Sequence, residues 1–330
     1  MPLRSCFTPG KRSKHMKTDS KWTKLGLLVG PDPQIEWLVG GSGPCCAIAN
    51  IKDASIVDLY ISGRDSQNRS RLGLVRFSLE SETIVDICET PVLPLGTRGS
   101  FDENGTSYPS VVRSGSQLMM YYTGWIKGVH VPWYNDLGLA TTLDGQSFER
   151  ISRAPVMPRG DLDHIGIGSS CVLLEGDTWH MWYTRFDRWG TCSEDHPHYY
   201  NIKHAHSEDG VVWFPDPEIS IDFQDSGEYA IAKPCVLKVG GRFVMWYSYR
   251  GDSYRAGLAV SDDGLHWSRM DERVGIDISE SGWDSEMLCY PHVFDAGENF
   301  YMFYNGNRYG VEGLGFARAP RDAVMEMING

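Results

Sequence analysis

The sequence predicts an all-β protein, a five-bladed β-propeller, on three observations. A strand carrying paired aromatics recurs at intervals of about sixty residues, longer than the ~40–50 residues of familiar propeller repeats. Each copy is followed by a strand with a small residue at its centre, and three of these second strands run into an Asp-Gly hairpin. No long helix separates the copies, so each unit is a small sheet that must stack on its neighbours to bury both faces.

The paired-aromatic strand reads Met120-Tyr121-Tyr122, Met181-Trp182-Tyr183, Met245-Trp246-Tyr247 and Met302-Phe303-Tyr304, with a fainter first copy in Leu59-Tyr60-Ile61. The strand after it reads Leu72-Gly73-Leu74, Leu137-Gly138-Leu139, Ile202-Lys203-His204-Ala205, Ala256-Gly257-Leu258 and Leu314-Gly315-Phe316. Asp144-Gly145, Asp209-Gly210 and Asp263-Gly264 supply the positive φ of a tight hairpin, each trailed by an aromatic (Phe148, Trp213, Trp267) expected to pack back onto its own blade. An inner strand precedes each paired-aromatic strand, as in Tyr108-Pro109-Ser110-Val111, Ser169-Ser170-Cys171-Val172, Lys233-Pro234-Cys235-Val236 and Tyr290-Pro291-His292-Val293, with Gly43-Pro44-Cys45-Cys46 as the first copy. The blades fall at about 36–95, 96–157, 158–222, 223–280 and 281–330 of one domain spanning 26–330, after a basic, mobile arm over 1–25.

Composition agrees with a soluble globular protein: 41% hydrophobic and 22% charged residues, with a net charge of −12 that excludes a nucleic-acid backbone or an anionic membrane as the main partner. The basic N-terminus leads into no apolar run of the kind that marks a secretory signal, and a cytoplasmic location is expected. Cys6, Cys45, Cys46, Cys88, Cys171, Cys192, Cys235 and Cys289 show no metal-binding spacing, and several lie in apolar runs as small core residues. No cofactor or metal is called for. Abundant Trp (11) and Tyr (16) suit strands and also surfaces that stack on sugar rings, so a carbohydrate or sugar-containing small molecule is the expected partner.

In a propeller the mouth of the central channel is built by residues leading into the inner strands and by the far ends of the paired-aromatic strands. The first set offers Asp102 and Glu103, Asp163 and His164, Glu228, Asp284 and Glu286, with His292 inside the last inner strand. A carboxylate cluster there would raise one pKa and provide an acid beside a base or nucleophile. The recurring aromatic-Asp pairs at Asp102 and Asp284, with Leu162-Asp163 in the same place, also fit a structural turn in which Asp accepts backbone hydrogen bonds. The second set offers Arg64, Trp125, Arg185, Arg250 and Asn307; the arginines either bind a carboxylate or phosphate on the substrate or neutralise the acids.

Laid out this way, the chain resembles the five-bladed propeller glycoside hydrolases, the group of arabinanases, xylosidases, invertases and mannoside phosphorylases. The linkers Thr90-Pro91-Val92-Leu93-Pro94 and Ala154-Pro155-Val156-Met157-Pro158, the Tyr-Pro-Ser-Val inner strand and the Ser-x-Asp-Gly-x-x-Trp hairpin carry the likeness from about Glu36 onward. The resemblance implies acid/base chemistry at a glycosidic bond, with Asp102 as base or nucleophile, Asp163 as pKa tuner and Glu228 as general acid. It implies a phosphorylase if Arg64, Arg185, Arg250 and His164 form an anion site, or a sugar-binding module if the chemistry has been lost. The first inner strand departs from the pattern: it has no acid nearby except Glu36.

Overall fold

The computed structural model describes residues 20–190 and 198–329. Among them the chain is almost all β. After β1 (Thr23–Val29), the strands form antiparallel units in sequence order. The first holds β2 (Ser42–Ala49), β3 (Ile56–Arg64), β4 (Ser70–Ser78) and β5 (Thr83–Ile87). The second holds β6 (Gly105–Ser114), β7 (Gln117–Lys127), β8 (Trp133–Thr142) and β9 (Glu149–Arg150). The third holds β10 (Ile167–Glu175), β11 (Thr178–Trp189), β12 (His198–Ser207) and β13 (Phe214–Ile221). The fourth holds β14 (Ala230–Val239), β15 (Arg242–Arg250), β16 (Tyr254–Ser261) and β17 (Ser268–Arg269). The last holds β18 (Cys289–Asp295), β19 (Asn299–Asn305) and β20 (Leu314–Pro320), followed by helix α1 (Arg321–Asn329). None of the described helices is long and apolar enough to cross a membrane.

The first strand of each unit packs on that of the next: β2 on β6, β6 on β10, β10 on β14, β14 on β18, and β18 back on β2. One inward residue per strand stitches this ring. Val111 N–H donates to Cys46 Sγ (3.3 Å), Val172 N–H to Ser110 Oγ (3.0 Å), Val236 N–H to Cys171 Sγ (3.2 Å) and Val293 N–H to Cys235 Sγ (3.2 Å). His292 Nε2 closes it on Ala47 O at 3.3 Å. Three cysteines are therefore ring fasteners, and burial pushes the Cys46 thiol up to about 11, which keeps it protonated as a donor. Cys6 and Cys192 lie outside the described residues.

The paired aromatics use the two faces of their strand for two different fastenings. In the first three units the first aromatic reaches the next unit's hairpin: Tyr60 Oη donates to Gly145 O (2.7 Å), Tyr121 Oη to Gly210 O (2.6 Å) and Trp182 Nε1 to Gly264 O (2.8 Å). The trailing aromatics follow them. Phe148, Trp213 and Trp267 pack edge-on against Tyr60, Tyr121 and Trp182 of the preceding unit, at 5.4, 5.7 and 6.0 Å. They also lie in apolar clusters with their own units, Phe148 with Met120 and Ala140, Trp213 with Met181 and Ala205, and Trp267 with Met245 and Ala259. The second of each pair donates within its unit: Tyr122 to Asp102, Tyr183 to Asp163, Tyr247 to Asp271 and Tyr304 to Asp284. The small residue on the facing strand makes room for that ring, since a Cβ on Gly138 or Gly257 would sit 2.4 Å from Tyr122 or Tyr247.

The arm expected over 1–25 ends sooner. Trp22 is buried with its indole donating to Val274 O at 3.0 Å, and β1 pairs with β20 as the outer strand of the last sheet. That sheet would otherwise expose the edge of β20, and the strand that covers it comes from the opposite end of the chain. Residues 1–19 lie outside the described part.

Candidate functional site

At one end of the units, inner strands begin, second strands end and third strands begin. Here the ring opens into a cavity of about 520 Å³. Each unit contributes: Ser62 and Arg64; Ser107, Tyr108 and Trp125; Ser169, Thr184, Phe186 and Tyr200; Arg250 and Tyr254; Tyr290, Arg308 and Tyr309. This is the end that the sequence pattern singled out. Its chemistry differs from the expectation, because no Asp or Glu is among the described lining residues.

Local backbone conformation aims several of these side chains. Seven non-glycine residues among those described have positive φ, and five of them (Asn68, Tyr108, Tyr290, Arg308 and Tyr309) line the cavity. Such conformations are costly for ordinary residues and persist where surrounding structure enforces them. At Tyr108 and Tyr290 the enforcement is visible: each sits at a bulge before a proline, and its N–H donates to the preceding unit, to Ser62 Oγ (2.8 Å) and Ser248 Oγ (2.6 Å). The two rings then meet edge-on at 5.6 Å.

The walls are aromatic and the polar groups are mostly donors. Tyr290 also packs on Tyr254 (5.7 Å), and the Tyr200 and Tyr254 hydroxyls are hydrogen-bonded to each other. Burial pushes the phenols of Tyr108, Tyr200, Tyr254 and Tyr290 above their ordinary range, so all four stay protonated. Trp125 donates its indole N–H to Ser70 Oγ (3.0 Å), presenting its ring edge-fixed, while Trp133 meets Trp189 at 5.3 Å.

Two guanidiniums stand among these rings without a carboxylate partner among the described residues. Arg250 lies over Tyr229, Tyr254 and Tyr309 at 5.2, 5.5 and 5.5 Å, and its Nε is buried with no hydrogen-bond partner among the described residues. Arg64 lies over Trp125 at 5.7 Å and donates to Asn68 O at 3.3 Å. Asp65, next to Arg64 in the chain, pairs with Arg69 and Arg71, and Glu228 pairs with Arg269.

Of the residues singled out from the sequence, the structure brings Arg64, Trp125 and Arg250 together at the cavity and places the rest elsewhere. Asp102 is fully buried, accepting from Tyr122 Oη (3.0 Å) and Arg150 Nε (2.8 Å). Asp163 accepts from Tyr183 Oη (2.6 Å) and Lys203 Nζ (3.0 Å), with Arg185 Nε at 3.5 Å; Arg185 also holds Asp187. Asp284 accepts from Tyr304 and Lys24. Glu228 is held by both terminal nitrogens of Arg269, at 2.8 and 2.9 Å. These four acids are compensated within the scaffold, which is why their carboxylates do not gather on the axis. Glu103 caps the Gly99 N–H, and His164 and Glu286 are exposed away from the cavity. His292 belongs to the ring, and Asn307 ties the turn after β19 to the segment before β18 by accepting from Glu286 N–H and donating to Gly282 O. Lining residues that sequence reasoning missed include Trp133, Asn135, Phe186, Tyr200, Tyr254 and Tyr309, together with Tyr108 and Tyr290. For the last two the sequence carries a signal, a tyrosine directly before the inner-strand proline.

No protein-family model matches the chain. A solved structure named "Glycoside hydrolase" superposes with a TM-score of 0.70 at 17% identity, covering 91% of this chain and 92% of that one. Another, from work on the GH130 family of mannoside phosphorylases containing hydrolases that target β-1,2 mannosidic linkages in Candida mannan, gives 0.68 at 15% identity, covering 92% and 94%. The fold is thus of the β-propeller glycosidase type, as the resemblance implied, and at these identities the likeness is one of fold. In sequence, the chain is 38% identical over 297 residues to "Uncharacterized protein MT1551" of Mycobacterium tuberculosis (strain CDC 1551 / Oshkosh), covering 90% of this chain and 98% of that protein. The chain belongs to the family of that mycobacterial protein.

Proposed function

We propose that this chain is a single five-bladed propeller domain whose central cavity binds a sugar, and that it is a carbohydrate-active enzyme working at a glycosidic bond. One observation carries the sugar reading: a cavity of about 520 Å³ lined by Trp125, Trp133, Phe186 and Tyr309, with hydroxyl and amide groups of Ser62, Ser107, Thr184 and Asn135 between them. Stacking rings interspersed with small polar groups match a pyranose, which offers apolar C–H faces and a belt of hydroxyls. The fold shared with glycosidases adds the reaction class by analogy.

In this reading Trp125 and Trp133 orient the ring, the protonated tyrosines donate to its hydroxyls, and Arg64 and Arg250 stabilise negative charge on a leaving oxygen or phosphate. Asp102, Asp163 and Glu228 are outside the reacting set because each is neutralised in the scaffold. A second reading, sugar binding without cleavage, is favoured by the lack of any carboxylate among the described lining residues. Incubating the full chain with a panel of aryl glycosides, with and without phosphate, separates the two. Turnover that vanishes in Arg250→Ala supports the enzyme; thermal stabilisation by a sugar with no product supports binding alone; neither effect contradicts both readings.

A further inference from the structure

We infer that the sugar taken by this cavity carries its own negative charge, a phosphate ester or a carboxylate, anchored by Arg250 with Arg64 as the second cation. The inference rests on the reading of the cavity as a sugar site. Several enclosed cations of this acidic chain are ion-paired, Arg150 with Asp102, Lys203 with Asp163, and Arg269 with Glu228. The buried Lys233, which has no ion pair among the described residues, does not line the cavity. Arg64 and Arg250 are different, and both face the cavity.

Arg250 is also prepared for a ligand. Three tyrosine rings fix its plane at 5.2–5.5 Å, and its Nε is buried without an acceptor among the described residues. An unsatisfied buried donor on a cation is costly, and an oxyanion that accepts from Nε and a terminal nitrogen together relieves that cost. The site offers a neutral sugar's hydroxyls no described carboxylate acceptor, whereas it offers an oxyanion two guanidiniums and several protonated phenols. Phosphate and carboxylate each present two oxygens to arginine's planar fork and share this chemistry.

The test is titration calorimetry of the full chain with gluco-, galacto- and manno-configured sugars, each as the neutral sugar, the 1-phosphate and the uronate, and with inorganic phosphate alone. One charged form should bind at least about tenfold tighter than its neutral counterpart, and raising the salt should weaken it. Arg250→Ala should remove at least about tenfold of that affinity and Arg250→Lys an intermediate part, both without loss of thermal stability in the free protein. Preference for the phosphate or the uronate identifies the charged group. Equal affinity for neutral and charged forms overturns the inference while leaving the sugar site standing. Inorganic phosphate binding as tightly as the sugar phosphate overturns it by placing the charge on a separate anion. Failure of every sugar to bind overturns both.

Discussion

Tyr122 Oη donates to Asp102 Oδ2 at 3.0 Å, and Arg150 closes on the same carboxylate oxygen. The same arrangement joins Tyr183 to Asp163 with Lys203, Tyr247 to Asp271 with Arg269, and Tyr304 to Asp284 with Lys24. A tyrosine, an acid and a cation recur in four units, so the recurring acids fasten each sheet to its own loop. Asp102→Ala should destabilise the protein by about 3 kcal/mol, the order found when one partner of a buried ion pair is removed. Tyr122→Phe should cost about 1 kcal/mol. Chemical denaturation measures both, and sugar affinity should be unchanged in Tyr122→Phe.

Much of the fold was legible because its fastenings are periodic. The Asp-Gly hairpins, the paired aromatics and the glycines facing Tyr122 and Tyr247 all recur, since each unit solves the same packing problem. The strand β1 was not legible, because it belongs to the last sheet while lying before the first repeat. The site was legible in place but not in chemistry. A sequence shows that Asp102 and Asp163 precede inner strands, but not that Tyr122 and Tyr183 of the next strand turn back to meet them. Nor does it show that bulges at Tyr108 and Tyr290 swing tyrosines into the cavity.

Trp125 combines a fixed indole with a face open to the cavity, backed by Arg64. Trp125→Ala should weaken sugar binding by about tenfold or more, through lost stacking area, with Trp125→Phe retaining part of it. Calorimetry on the ligand identified for the wild type checks this.

The hairpin turns are intolerant of side chains. Gly210 has φ 72°, and a Cβ there would come within 2.9 Å of Tyr121 Oη. Gly210→Ala should lower stability by about 1–2 kcal/mol, combining the left-handed backbone cost with displacement of the Tyr121 hydrogen bond. Thermal unfolding should show it, with a smaller effect for Gly176→Ala, where positive φ is the only penalty and nothing lies within 4 Å.

Acid should destabilise the fold through two histidines. Burial lowers His180, which shares a hydrogen bond with His204 (3.0 Å), to about 4, and lowers His292 to about 3. Both folded pKa values lie below the ordinary 6.5, so the unfolded chain binds more protons between these limits. Their contribution is therefore undiminished above pH ~6.5 and is lost progressively as pH falls toward ~3–4. Denaturation midpoints across this range should decline, and His180→Gln should flatten the upper part of the decline relative to wild type.

The central claim is that the ligand sits among the tyrosines and arginines of the cavity and not beside the recurring acids. It is tested most directly by comparing Asp102→Asn with Arg250→Ala in one calorimetric titration against the same sugar ligand, with unfolding monitored in parallel. Arg250→Ala should lose at least about tenfold in affinity with stability retained, while Asp102→Asn should lose stability and keep its affinity. Loss of binding in Asp102→Asn at unchanged stability, with Arg250→Ala binding normally, would contradict the account.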